Sequence, residues 1–396
     1  MSVTAAQGFR AAGVRAGLKA SGKPDLALVV NDGPLDTAAG VFTTNRVVAA
    51  PVVWSRRLLT GQEGGQPGHA RAVVLNSGSA NACTGAQGLR DTEATAARAA
   101  GLVSTEPDQV LVCSTGVIGE RIDMPVLLEG IDVAALADTP QAGTDAAAAI
   151  MTTDTVSKED ALTVGTGEQS WTIGGMIKGV GMLAPGLATM LAVITTDAVL
   201  TPEQAQDALA SATMRTVNRI NSDGCMSTND TVLLLASGAS GTTPSQDELD
   251  EALTEVMSRL GRRLVADAEG ATHDIAITVS GAVSEEAAEA AARTVSSSNL
   301  LKCAVAGADP NWGRILSQLG TVPEDVCPFN PDEVDVAING ITIFSHGAPQ
   351  PNRDAVDMSP RETRIDIELS AGPAQATVWT NDLTHGYVTI NADYTT

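Results

Sequence analysis

The segment Trp171–Asp197 contains residue types whose order could support acyl transfer. It is rich in glycine, carries one lysine, Lys178, in uncharged surroundings, and places Ala188-Thr189 before the apolar run Met190–Ile194. A strained turn before a hydroxyl favours attack of that hydroxyl on the preceding carbonyl, which ends in cleavage of the chain. The new α-amine, with a reference pKa near ~8, can then serve as the base for the hydroxyl. Spacing alone favours a simpler alternative, in which a glycine-rich turn leads into a core strand.

A second candidate is the sequence C-S-T-G-V-I-G at Cys113–Gly119, which directly follows a predicted strand. A turn at Thr115-Gly116 could present a hydroxyl and a backbone N–H to one point, which is the geometry of an oxyanion hole. The simpler alternative is an ordinary turn at the exit of a strand. Without support from other residues, the simpler alternative is again favoured.

Motifs of other enzyme classes are absent or weak. The sequence has no G-x-S-x-G nucleophile elbow and no Walker A loop. Gly179–Ala184 matches the loose dinucleotide pattern G-x-G-x-x-A, but Pro185 and Gly186 follow where a helix should begin. The histidines have no His or Cys at metal-ligand spacing, so we predict no metal site. They are His69, His273, His346 and His385.

Composition limits the function classes further. The chain has 396 residues, 43% of them hydrophobic, and a formal charge of −23. Such an acidic chain is not expected to bind nucleic acid or an anionic membrane over a broad surface. If the substrate is an anion, a local cationic group must attract it. The apolar stretch Met182–Ile194 is too short to span a bilayer.

The cysteines and the N-terminus predict a soluble cytoplasmic protein. Five scattered cysteines without a C-x-x-C pattern argue against a disulfide framework and a zinc ribbon. Residues 1–23 carry basic residues but no apolar core, so they do not resemble a secretory signal.

Strands and helices alternate along the chain, which predicts an α/β or α+β fold. The strand candidates are short, rich in Leu or β-branched residues, and bounded by Gly, Ser, Asn or Asp. They are Leu26–Asn31, Ala72–Leu75, Val110–Cys113, Val232–Ala236 and Ile275–Val279. Asn339-Gly340 between alternating apolar residues predicts a type I′ hairpin. Helices are predicted after the capping residues Thr201 and Ser245, and also over Gly88–Leu102 and Ser284–Ser298.

Taken together, several motifs in a fixed order resemble the ornithine acetyltransferase family of arginine biosynthesis. The resemblance spans nearly the whole chain and includes the two candidate segments described above. Its blocks are A-G-L-K-A-S-G-K-P-D-L-A-L-V-V near the N-terminus, S-T-G-V-I-G at Ser114–Gly119, I-M-T-T-D-T at Ile150–Thr155, K-G-V-G-M-L-A-P-G-L-A-T-M-L at Lys178–Leu191, S-T-N-D-T at Ser227–Thr231, D-A-E-G-A-T at Asp267–Thr272, D-P-N-W-G-R at Asp309–Arg314 and N-A-D-Y-T-T at Asn391–Thr396.

The resemblance implies a fold and a set of roles. The fold is a four-layer α-β-β-α sandwich of the N-terminal-nucleophile-like type. Self-cleavage between Ala188 and Thr189 gives an α chain, 1–188, and a β chain, 189–396, which together form one catalytic unit. Thr189 is the nucleophile, and Thr115 with Gly116 forms the oxyanion hole. The implied substrate-binding residues are Thr152, Lys178, Thr189, Glu269, Asn391 and Thr396, with Thr153 as a substitute for Thr152.

The implied reaction moves an acetyl group from N2-acetyl-L-ornithine to L-glutamate through an acetyl-threonine ester. No cofactor is implied, although some relatives also accept acetyl-CoA, and no residue here decides that point. The cleaved chains are expected to assemble as α2β2 or larger. Two alternatives remain: an N-terminal-nucleophile amidase or aminopeptidase, and a metabolite-binding protein that neither cleaves itself nor becomes acetylated.

The sequence departs from the family pattern at two places. Family members often have H-P-N-M-A-T where this chain has Ala184-Pro185-Gly186-Leu187-Ala188-Thr189. These changes leave Ala-Thr intact and could alter the rate of cleavage. His273 stands where a lysine commonly follows E-G-A-T, which could change the electrostatics of the pocket.

Overall fold

The computed structural model describes residues 2–62, 67–184 and 190–393. In these ranges the strands form three sheets, of four, five and six strands. The strands are β1 Phe9–Val14, β2 Leu26–Asn31, β3 Thr37–Phe42, β4 Ala72–Ser79, β5 Val110–Val117, β6 Lys158–Val164, β7 Trp171–Lys178, β8 Leu191–Thr196, β9 Thr231–Ala236, β10 Asp274–Ala282, β11 Asp335–Ile338, β12 Ile341–Ser345, β13 Ala348–Pro349, β14 Glu362–Glu368 and β15 Ala374–Asn381.

The helices begin mostly at Ser, Thr, Asp or Asn caps, whose side chains accept from the first turn. They are α1 Ala50–Leu59, α2 Gly85–Val103, α3 Met124–Asp132, α4 Pro140–Ala149, α5 Pro202–Arg215, α6 Gln246–Ala266, α7 Glu285–Ser296, α8 Asn299–Ala306, α9 Trp312–Leu319 and α10 His385–Asp393. No helix in the described part of the chain is long and apolar enough to cross a membrane.

Two sheets pack face to face and form the centre of the protein. The first has the order β1-β2-β4-β5, and the second has the order β3-β9-β8-β7-β6. Alternate residues of β8 point to opposite sides. Leu191 and Val193 join the core shared with the first sheet, whereas Ala192 and Ile194 join the core under α5 and α6. Helices α1–α4 cover the first sheet, so this part of the fold is the predicted α-β-β-α sandwich.

The third sheet belongs to the C-terminal part of the chain and has the order β13-β12-β11-β14-β10-β15. Its apolar residues pack against α7, α8 and α9 in a separate core. The predicted hairpin is confirmed, because Asn339 and Gly340 both have positive φ, 49° and 80°, between β11 and β12. Both predicted capping boxes are confirmed, at Thr201 with Gln204 and at Ser245 with Glu248.

The strand predictions differ from the structure mainly in length. Leu26–Asn31 is β2 as predicted. In contrast, β4 and β5 continue beyond their predicted apolar ends, into Ser79 and Val117, because the two strands pair in parallel through their polar ends. This extension matters for the site, since it places Thr115 and Gly116 within the end of a strand.

Candidate active site

Thr115 and Gly116 lie near the carboxyl end of β5, beside the end of β4. Thr115 is buried, and Gly116 has a φ of 130°, a conformation that L side chains rarely adopt. A Cβ at Gly116 would lie 2.4 Å from the carbonyl carbon of Gly78. The close approach of the two strand ends therefore requires glycine at this position.

Two buried polar residues that precede β9, an asparagine and an aspartate, hold this part of the site in place. Asn229 precedes β9 and donates from Nδ2 to the carbonyl oxygens of Ala80, at 2.6 Å, and Ser114, at 2.9 Å. The next residue, Asp230, accepts from the backbone N–H of Met190 at 3.0 Å. Two consecutive residues thus connect the strand that bears Thr115 with the first described residue after Thr189.

Lys178 is the last residue of β7, and its side chain points to Thr115. Its Nζ donates to Oγ1 of Thr115 at 3.3 Å, and the side chain is almost fully buried. Burial lowers the pKa of the Lys178 ammonium, and the negative charge of Asp154 opposes that effect. The lysine that the sequence places in uncharged surroundings therefore lies beside the predicted oxyanion site.

Glu269 follows α6 and is held from two sides. Its Oε1 accepts from the hydroxyl of Thr153 at 2.8 Å, and its Oε2 accepts from Nδ2 of Asn391 at 2.9 Å. Thr152 also lines the cavity, but the hydroxyl that reaches Glu269 is that of Thr153. The carboxylate therefore points into the cavity rather than back to the turn at Gly270.

Two glycines permit the close packing around Glu269. A Cβ at Gly181 would lie 2.8 Å from a carboxylate oxygen of Glu269. A Cβ at Gly270, which has a φ of 66°, would lie 2.3 Å from the backbone nitrogen of Tyr387 at the start of α10. The hydroxyl of Thr384 accepts from the N–H of Gly386 and donates to the carbonyl of Gly270 at 2.6 Å, which ties α10 to the Glu269 loop.

Sequence reasoning missed several residues that line the same cavity. Met182 has a φ of 51°, and its N–H donates to Oδ2 of Asp223 at 2.7 Å. Tyr387 donates from its hydroxyl to the same oxygen at 3.4 Å, and Cys225 lies beside them. Burial raises the pKa of Asp223 and that of Tyr387. Met182 lies within the family block Lys178–Leu191, but no motif in the sequence distinguished Asp223, Cys225 or Tyr387 from ordinary loop positions.

Together these side chains enclose a cavity of about 240 Å³. Thr115, Gly116 and Lys178 form its strand wall, and Glu269, Tyr387 and Asn391 form its helix wall. Its lining residues are Thr115, Gly116, Thr152, Thr153, Lys178, Gly181, Met182, Asp223, Cys225, Glu269, Tyr387 and Asn391. Residues more than 270 positions apart in the chain, Thr115 and Asn391, therefore meet in one site.

Three of the predicted site residues, Ala188, Thr189 and Thr396, lie outside the residues that the structure describes. Met190, which follows Thr189 directly, is buried, and its carbonyl accepts from the N–H of Thr231 at 3.1 Å. Within the described ranges, no three His, Cys, Asp or Glu side chains are grouped so that they could hold a metal ion.

His273, one of the two departures from the family pattern, lies behind the helix wall. Its Nδ1 is 3.0 Å from Oδ2 of Asp382, and its Nε2 is 3.2 Å from the carbonyl of Met358. Asp382 also accepts from the N–H groups of Thr272 and His273, at 2.8 and 3.0 Å. His273 thus contributes to the anchoring of the Glu269 loop, and it does not line the cavity.

The chain is similar to known proteins over its whole length. The sequence model of the ArgJ family matches residues 10–396. The chain is 58% identical to the arginine biosynthesis bifunctional protein ArgJ of Bifidobacterium longum and 54% identical to that of Streptomyces coelicolor, over 100% of both chains in each case. It is also similar to the crystal structure of ornithine acetyltransferase from Mycobacterium tuberculosis in complex with ornithine. That similarity has 50% identity and a TM-score of 0.44, and covers 48% of this chain and 96% of that one.

Proposed function

Because this chain belongs to the ArgJ family, we propose that it is a glutamate N-acetyltransferase of arginine biosynthesis that transfers acetyl from N2-acetyl-L-ornithine to L-glutamate. One observation carries the proposal. Thr115, Gly116, Lys178 and Glu269 converge on a single cavity, and the backbone beside it is held at Met190, one residue after Thr189. That arrangement supports an oxyanion site, a cation and a carboxylate around one nucleophile.

The first proposed step is self-cleavage. The Oγ of Thr189 attacks the carbonyl carbon of Ala188, the C–N bond of that peptide breaks, and the Thr189 nitrogen takes up the proton. Water then hydrolyses the resulting ester, which leaves a carboxylate on Ala188 and restores the Thr189 hydroxyl. The freed α-amine, with a reference pKa near ~8, lies next to that hydroxyl and can act as its base.

Acetyl transfer then proceeds through a covalent ester. The Thr189 amine takes the hydroxyl proton while Oγ attacks the acetyl carbonyl carbon of N2-acetyl-L-ornithine. The Thr115 hydroxyl and the Gly116 N–H donate to the oxyanion, and the departing ornithine nitrogen takes the proton from the amine. The α-amine of L-glutamate attacks the acetyl-threonine ester in the second half-reaction and regenerates the enzyme.

The charges in the cavity suit amino-acid substrates. We assign Lys178 to a substrate carboxylate and Glu269 to a substrate ammonium group. Thr152, Thr153 and Asn391 supply neutral hydrogen-bonding groups around them, and Thr396 completes the set. Since Thr153 and Asn391 already hold Glu269 at 2.8 and 2.9 Å, the carboxylate is oriented before the substrate arrives.

The sheet order explains how two cleaved chains could remain one unit. In the second sheet, β3, β7 and β6 precede the proposed cut, and β8 and β9 follow it. Strands from both segments are interleaved, since β8 pairs with β7 and β9 pairs with β3. We therefore propose that 1–188 and 189–396 stay associated after cleavage, and that such units assemble further as α2β2 or larger.

The test is an intact mass spectrum of the denatured protein before and after N2-acetyl-L-ornithine is added. We expect two fragments that meet at Ala188/Thr189, and a gain of one acetyl on the second fragment only. The variant Thr189→Ala should stay uncleaved and unacetylated, whereas the matched control Thr189→Ser, which keeps a hydroxyl, should cleave and take up acetyl.

The same experiment separates the alternatives. If water clears the acetyl group as fast as L-glutamate does, the protein is an amidase and the transferase proposal is wrong. A single chain that never gains acetyl contradicts the nucleophile itself. Acetyl-CoA is added as a second donor, because the similar proteins are named bifunctional.

A further inference from the structure

The charge on Lys178 determines what Thr115 can do. Lys178 lies 3.3 Å from Oγ1 of Thr115 and forms no ion pair with any described residue. A protonated Nζ has only hydrogens to offer, so Oγ1 must accept, and the hydroxyl hydrogen of Thr115 is left to point elsewhere. A neutral Nζ has a lone pair, so the Thr115 hydrogen can turn to Lys178 instead. The charged form of Lys178 therefore always leaves the hydroxyl hydrogen available to an oxyanion, whereas the neutral form competes for it.

Several charged groups surround Lys178. Burial lowers its pKa and works against the charged form, and Asp154 opposes burial more than any other group does. The titratable groups that face Lys178 from the elements around it are Asp154, Lys158, Asp230, Glu269 and Lys19. Burial raises the pKa of Asp230 well above its ordinary value and lowers that of Lys19 to about 8. Burial also acts on Asp154 itself, but Lys178 and Lys158 outweigh it and hold the pKa of Asp154 at about 2. Asp154 is therefore a permanent negative charge at neutral pH.

Asp154 also binds the backbone of two segments that line the cavity, at Thr152 and next to Lys178. Its Oδ1 accepts from Nζ of Lys158 at 2.7 Å and from the N–H of Gly179 at 2.9 Å. Its Oδ2 accepts from the N–H of Thr152 at 3.0 Å. Because Gly179 follows Lys178 directly, this one carboxylate positions the backbone of Lys178 and that of Thr152 together.

We propose that Asp154 is a positioning residue for acetyl transfer, which acts through Lys178 to direct the hydroxyl of Thr115 at the oxyanion. The inference rests on the proposed function above, and it adds a residue that touches neither substrate nor nucleophile. Asp154 does two things at once: it orients the backbone that bears Lys178, and it keeps the ammonium group charged.

The chain contains a matched control for this role. Asp267 binds the same Lys158 Nζ, at 2.6 Å, but its other partners are the N–H and hydroxyl of Thr155, and it has no hydrogen bond to Gly179 or Thr152. Asp154→Asn and Asp267→Asn each remove one carboxylate from Lys158. Only Asp154→Asn removes a carboxylate that binds the backbone next to Lys178.

The experiment measures kcat/KM for N2-acetyl-L-ornithine against pH in the cleaved wild type and in both variants, together with melting curves. Activity should be lost as pH rises through the pKa of Lys178. Asp154→Asn removes a negative charge near Lys178, so the pKa of Lys178 falls further. The alkaline limb of the plot of kcat/KM against pH should therefore move to lower pH by about one unit or more. At a pH on that limb, we expect a loss of about tenfold. Asp267→Asn should keep the alkaline limb of the wild type.

A second readout tests the route through Thr115. Because Lys178 also binds a substrate carboxylate and so affects KM, this readout is kcat at saturating N2-acetyl-L-ornithine. In a Thr115→Val background there is no hydroxyl to direct, so adding Asp154→Asn should leave the pH dependence of kcat unchanged. If Asp154→Asn and Asp267→Asn lower melting temperature and activity in parallel, with the limb unmoved, Asp154 is merely structural and the inference is overturned. Failure of the proposed function is distinct, because the wild type itself would then take up no acetyl.

Discussion

The two walls of the cavity are each held by a buried aspartate, and the two aspartates have different basic partners. Behind the strand wall, Asp154 is paired with Lys158, and both side chains are fully inaccessible to solvent. Behind the helix wall, Asp382 is equally buried but is paired with His273, which keeps 13% of its side-chain surface exposed. The first pair is therefore shielded from solvent entirely, whereas the second keeps contact with solvent through the imidazole.

The difference follows what each wall has to do. The strand wall contains the proposed oxyanion site, where fixed dipoles and charge are most effective when water is excluded. The helix wall contains Glu269, Tyr387 and Asn391, which are only half-buried or exposed, as a surface that admits substrates must be. The strand wall, where the acetyl group is proposed to react, is thus the more buried of the two. The helix wall, which is proposed to bind the rest of the substrate, is built from a loop and the helix α10.

The largest effect should come from Thr115→Val in the strand wall, which removes a hydroxyl with little change in shape. We expect kcat to fall about 10²–10³-fold, as for the loss of one oxyanion donor, with KM little changed. The control is Thr153→Val, which makes the same chemical change beside Glu269 and should mainly raise KM. Equal losses of kcat in both variants would contradict the division of the cavity into a strand wall that stabilises the oxyanion and a helix wall that binds substrate. Steady-state kinetics with N2-acetyl-L-ornithine provides the measurement.

A smaller effect should follow Gly181→Ala, which pushes the two walls apart. The new Cβ would lie 2.8 Å from a carboxylate oxygen of Glu269, so the carboxylate must move away from Thr153 and Asn391. We expect kcat/KM to fall about tenfold, in line with the cost of one misplaced charged hydrogen bond. Gly101→Ala is the control, because a Cβ there meets nothing within 4 Å. Unchanged kcat/KM in Gly181→Ala would show that the position of Glu269 is unimportant.

The smallest effect on activity should come from Asp382→Asn, which weakens the anchor of the helix wall. Burial acts to raise the pKa of Asp382, but hydrogen bonds from Thr272 and His273 outweigh it and hold that pKa below its ordinary value. A folded-state pKa below the unfolded one means that the carboxylate stabilises the fold at neutral pH. This stabilisation is lost as pH falls through the folded pKa.

We therefore expect Asp382→Asn to melt at a lower temperature than the wild type at pH 7, with a loss of about 1–3 kcal/mol. KM should rise about threefold, since one hydrogen bond to the loop is worth roughly 1 kcal/mol. The gap between the melting temperatures of the two proteins should narrow below about pH 4, where the carboxyl group of the unfolded chain begins to be protonated, and continue to narrow as pH falls through the lower folded-state pKa. A difference in melting temperature that stays constant from pH 7 to pH 3 would contradict the conclusion that Asp382 stabilises the fold as a carboxylate.

Local features of the fold could be predicted because their causes are local. The capping boxes at Thr201 and Ser245 and the turn at Asn339-Gly340 depend on side chains within three residues of one another. The order of the strands could not be predicted, because pairing β8 between β7 and β9 depends on contacts between distant segments. The ends of β4 and β5 were missed for the same reason, since polar residues such as Asn76 and Ser114 are strand residues only because they face each other.

The sequence by itself determined the chemistry available to this protein: a hydroxyl after a glycine-rich segment, a Thr-Gly strand end, one lysine in apolar surroundings, and the ordered blocks that identify the family. Only the tertiary structure decided that Lys178 reaches Thr115, that Thr153 rather than Thr152 holds Glu269, and that Asp154 stands behind them. The physical reason is that residue type fixes what a group can donate or accept. The protonation state and the orientation of that group depend on burial and on neighbouring charges. These in turn depend on packing between segments far apart in the chain.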